Sequence, residues 1–91
     1  MSKLGFILRD LIGRAAPLRP VSTRLPSGLR VAVRILGTGE TQLSLTRTLT
    51  QKPSRKEAVV CAEHAGWAHT TIEESTTRGG LPCLLVTQVG A

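Results

Sequence analysis

All four thiol and imidazole side chains of this chain fall within 23 residues, as Cys61-x2-His64-x4-His69-x13-Cys83. A Cys2His2 set suits zinc, and Cys61 and His64, three apart on a helix, would reach one ion. The spacing departs from the common zinc-finger pattern. Cys61 also shares a stripe of small apolar residues, and Cys83 opens an apolar strand. Both thiols therefore read as core; no metal site and no cofactor is expected. A Cys61–Cys83 disulfide remains open in an oxidising compartment. Nucleophilic Cys–His chemistry would need a polarised, partly exposed thiol, and the surroundings of neither cysteine provide that. Glu73 and Glu74 are adjacent on a strand, so they point to opposite faces and cannot act as a carboxylate pair. Gly37-x-Gly39 lacks the third glycine and the following helix of a phosphate-cradling loop. The expectation is a protein that is not an enzyme.

The cations point elsewhere. Residues 1–56 hold eleven of the twelve Lys and Arg against Asp10 and Glu40, a formal +9; residues 57–91 hold Arg78 against four Glu, a formal −3. The overall +6 thus hides a dipolar chain, which suggests an anionic partner. Two clusters stand out. Arg30 and Arg34 share a strand face beside Gln42, Ser44, Thr46 and Thr48, with Arg47 nearby. Lys52, Arg55 and Lys56 flank the start of a helix, where free amides favour anions. Phe6 and Trp67 are the only aromatics, so the pattern suits phosphate contact better than base stacking. Nucleic acid is the expected partner, held by Arg30, Arg34, Arg47, Lys52, Arg55 and Lys56 through charge-assisted hydrogen bonds. The alternative is a protein partner or a homo-oligomer. Leu4, Leu8, Leu11 and Ile12 of an N-terminal helix, or a bare strand edge, would then make the contact.

No run of 18 apolar residues exists, so no integral membrane association is expected. Arg9 and Asp10 interrupt the apolar residues after Lys3, which argues against a secretory signal and leaves the cytoplasm as the default location. A mitochondrial address is weaker, because Asp10 and the scarcity of Ser oppose it.

The elements that position these residues follow from periodicity. Leu4, Leu8, Leu11, Ile12 and Ala15 line one side of a helix over 2–16, weakened by Gly5 and Gly13. Pro17 and Pro20 end it and make a stiff connector. Residues 1–20 are thus an amphipathic helix with its connector, and 21–91 form one small domain. Residues 21–25 suit a short extended piece, followed by the turn signal Pro26-Ser27-Gly28. Residues 29–36 and 41–49 alternate as a hairpin. Keeping apolar opposite apolar pairs Ile35 with Leu43, Val33 with Leu45 and Leu29 with Leu49, which requires a loop of odd length. That register places Arg47 opposite Val31 on the core side.

Ser54-Arg55-Lys56-Glu57 is a capping box that opens a helix over about 54–65, with Gly66 at its left-handed end and Trp67 covering it. A second hairpin follows over 68–75 and 82–89. Its first strand suits an edge, and its Leu84-Leu85-Val86 run suits a central position. The expected fold is α+β: an antiparallel sheet of two β-hairpins packed on one helix (ββαββ), with an additional N-terminal helix. The helix ending in Gly66-Trp67 and the hairpin after it look faintly like the bacterial toxin ribonucleases with a double-stranded-RNA-binding-like fold. Those carry a catalytic His on the hairpin; Thr76-Thr77-Arg78-Gly79-Gly80 has none, and the activity is not carried over.

Overall fold

A computed structural model describes residues 3–16, 19–25, 27–48 and 50–89. Helix α1 (Lys3–Arg14) is followed by β1 (Val21–Arg24), β2 (Arg30–Ile35), β3 (Thr41–Thr46), α2 (Arg55–Ala65), β4 (Thr70–Thr76) and β5 (Pro82–Gln88). The strands form one antiparallel sheet in the order β1-β2-β3-β5-β4. The α+β class therefore holds, but the arrangement is richer than ββαββ. The extended piece at 21–24 pairs with β2 and adds a third strand before α2. The expected positions of the second hairpin hold: β5 is interior and β4 is an edge.

Alternation decides which side is covered. Val31, Val33, Leu43, Leu45, Leu84 and Val86 project to one side and meet Leu8 and Leu11 of α1 and Ala58, Cys61 and Ala62 of α2. Both helices thus lie on the same face. Small residues on α2 let its axis approach the sheet, and aliphatic side chains fill the rest. Leu8 and Leu11 are fully buried in this cluster, whereas Phe6 is 67% exposed. The apolar stripe of α1 is thus spent on its own core. Of the four residues assigned to partner docking, Leu8 and Leu11 are unavailable, and Leu4 and Ile12 are half-buried against the same cluster.

The hairpin register differs from the expected one by two residues. Val33 opposes Leu43, Val31 opposes Leu45 and Ile35 opposes Thr41. A two-residue slip keeps every side chain on its face, so hydrophobic matching alone does not separate the two registers. The turn does. Leu36 N–H donates to Glu40 O at 2.8 Å, and Gly39 N–H donates to Leu36 O at 2.8 Å, with Gly39 at φ +91°. Three residues close the loop, the last in the left-handed region that glycine adopts without a Cβ clash. Gly28 and Gly80 close the other two hairpins with the same hydrogen-bond pattern.

Helix α2 begins and ends as its sequence dictates. Ser54 Oγ accepts from Glu57 N–H at 3.1 Å, and Glu57 Oε1 accepts from Ser54 N–H at 3.1 Å. At the other end Gly66 has φ +81°, Gly66 N–H donates to Glu63 O at 3.0 Å, and Trp67 N–H donates to Ala62 O at 3.1 Å. These bonds serve the last carbonyls of the helix, and Trp67 packs against the core beside them.

Candidate nucleic-acid interface

Chain direction brings distant cations together. β1, β3 and β4 run toward one end of the sheet, so the β1–β2 turn, the β3–α2 connection and the β4–β5 turn all lie there. α2 starts at that end, and so does α1, whose Leu4 lines a cavity with Ser54 and Leu25. The positive ends of both helix dipoles therefore face the same way. Arg24, Arg30, Lys52, Arg55, Lys56 and Arg78 are all exposed at this end. None of the six forms an ion pair among the described residues.

Four of these six, Arg30, Lys52, Arg55 and Lys56, are expected from the sequence. Arg24 and Arg78 are not. Arg24 stands directly opposite Arg30 across β1–β2, on the face without helices. Directly opposed residues lie about 5 Å apart, where like charges repel and a shared anion relieves the repulsion. A signal for Arg24 exists in the sequence, since folding the chain about Pro26-Ser27-Gly28 sets the two arginines face to face. Arg78 is hidden by the acidic balance of residues 57–91 and emerges only from topology.

Arg34 lies on the same face as Arg30, about 13 Å along β2 at the rate of strand rise. Its Nε donates to Gln42 Oε1 at 2.9 Å, and Gln42 Nε2 donates to Thr87 Oγ1 at 3.0 Å, a chain that crosses three strands. The uncovered face is not the row of exposed hydroxyls suggested by alternation, because Gln42 and Thr46 are buried. It carries instead a shallow basin of about 450 Å³, floored by small side chains such as Ala32 and Ser44 and flanked by Arg34 and Arg78. Neither aromatic residue is on this face, because Phe6 belongs to α1 and Trp67 follows α2 in the core cluster.

Arg47 has a different role from the other expected contacts. Its Nη2 and Nε donate to the Glu57 carboxylate, and Nη1 donates to Ser27 O at 3.1 Å. It thereby ties β3 to the β1–β2 turn and to the capping box of α2. The Arg47 guanidinium, first, and then the Ser54 amide hold the Glu57 carboxyl below the usual range against opposing burial, and Glu57 raises Arg47 in return. The core-side position that makes Arg47 awkward in the sequence is resolved by this buttress.

The sulfur and imidazole set does not assemble. Cys61 packs in the helix–sheet core, and Cys83 faces the other side of the sheet, one residue before inward-facing Leu84. Both are free and buried, so the disulfide left open by the sequence is excluded by the intervening sheet. Burial, with a smaller push from Glu57, raises the Cys61 thiol to about 11. No three metal-ligating side chains cluster among the described residues. No described helix is long and apolar enough to cross a membrane. Comparison with known protein families, with curated proteins and with solved structures finds no match to this chain.

Proposed function

We propose that the protein is a non-catalytic binding module whose basic end contacts the phosphate backbone of a nucleic acid. The observation that carries this reading is the convergence of Arg24, Arg30, Lys52, Arg55, Lys56 and Arg78 at one end of the sheet. These cations come from three connections far apart in sequence, and both helix N-termini reinforce their field. Arg34 extends the positive surface along the uncovered sheet face, while Arg47 holds the end in shape through Glu57. With neither Phe6 nor Trp67 on that face, binding rests on charge-assisted contacts to phosphate and tolerates many base sequences.

Exchange of Arg24 and Arg30 for Glu tests the reading. Both side chains are exposed, so the fold is retained. Loss of two phosphate contacts lowers the slope of log K against log salt by about two for duplex nucleic acid. An unchanged slope and affinity would show that phosphate is not bound here.

A further inference from the structure

We propose that the free edge of β4 is a docking site for an extended, basic segment of a partner protein, added to the sheet as a sixth strand. β4 pairs with β5 on one side only. Val89 N–H donates to His69 O and Thr77 N–H to Leu81 O, which fixes the odd-numbered residues of β4 as those bonded to β5. Thr70, Ile72, Glu74 and Thr76 therefore turn their backbone N–H and C=O groups away from the sheet.

The two edges of the sheet are protected differently. β1 is four residues long, follows Pro20 and ends on Arg24. Short length, proline and positive charge are the usual protections of an edge. β4 is seven residues long, with no proline and no lysine. Its only charges are Glu73 and Glu74, both exposed and projecting to opposite faces. They select the occupant. A two-fold antiparallel pairing of β4 with a second copy, centred on Glu73 or Glu74, opposes like carboxylates directly, which is repulsive. A strand with two consecutive cations places one beside each carboxylate. A cavity of about 230 Å³ adjoins the edge on the helix side, between Glu74 and Lys52, with Pro53, Pro82 and Leu84 in its wall. It offers a seat for one side chain of the incoming strand, while main-chain bonds supply the attachment. The carboxylates repel nucleic acid, so this inference does not rest on the phosphate reading.

The test uses the full chain, 15N-labelled, and a fluorescent eight-residue peptide carrying an Arg-Lys pair among threonines and valines. Amide exchange should slow on binding at Thr70, Ile72, Glu74 and Thr76, and stay unchanged at Thr71, Glu73 and Ser75. Glu73→Lys with Glu74→Lys should weaken that peptide about tenfold. The same variant should take up a peptide of identical length with an Asp-Glu pair, which also shows that it folds. Failure of the basic peptide to bind, binding without slowed exchange at the four outward amides, or indifference to charge reversal would overturn the proposal. So would protection of those four amides in concentrated protein alone, which would make a second copy the occupant.

Discussion

Replacing Leu8 by Ala asks whether α1 is part of the domain or an appendage to it. Leu8 is 0% exposed and sits among residues of both helices and the sheet. A wholly buried Leu→Ala change costs about 3–5 kcal/mol, because lost transfer energy adds to the cavity left behind. The sheet backs this site, so collapse around the cavity is limited. A chain of 91 residues has a total stability of about 5–14 kcal/mol. The change therefore removes about a fifth of the stability or more. With a urea slope of about 1–2 kcal/mol/M, the midpoint should fall by about 1.5 M or more while the slope stays constant. Phe6→Ala is the control: Phe6 is 67% exposed on the same helix, and its loss should cost under about 0.5 kcal/mol. Equal, small effects of the two changes would refute the packing described for α1.

Three further outcomes follow from the structure. Glu57 has its carboxyl lowered by Arg47 in the folded state, so its stabilisation is present above the unfolded carboxyl value of about 4.3 and is lost as pH falls through the lower folded value. Glu57→Gln should thus destabilise at neutral pH, and the gap to the parent protein should narrow below about pH 4; a gap constant from pH 7 to 3 would contradict the Arg47–Glu57 assignment. Cys61 and Cys83 should resist alkylation at pH 8 in the folded protein and react once it is unfolded, since both are buried and the Cys61 thiol is raised to about 11. Mild oxidation of the folded chain should give no mass loss from a Cys61–Cys83 bridge, and finding one would contradict the face assignment.

The local elements were legible because each carries its own punctuation. Ser54 to Glu57 specifies the start of α2, Gly66 its end, and strict alternation separates the faces of β2 and β3. What was less legible depended on non-local choices. The exact pairing of β2 with β3 rests on the φ +91° conformation of Gly39, and two registers satisfy the same hydrophobic pattern. Residues 21–24 alternate too briefly to announce a strand, and β2 supplies the partner that makes them one. The candidate interface was half legible. Arg30, Lys52, Arg55 and Lys56 stand out by local context, whereas Arg78 joins them only because β4 and β1 end on the same side. Arg47 could be placed on the core side from alternation, but its partner Glu57 lies on another element, ten residues away.

The central claim is phosphate contact by the basic end, and titration of labelled single- and double-stranded DNA and RNA at 50 and 200 mM salt, read by fluorescence anisotropy, tests it most directly. Six phosphate contacts give a slope near −5 in log K against log salt for duplex, or about a thousandfold weaker binding at the higher salt. That loss, reduced by Arg24→Glu with Arg30→Glu, is the expected result. Absence of binding at 50 mM salt, or binding indifferent to salt, would contradict the account.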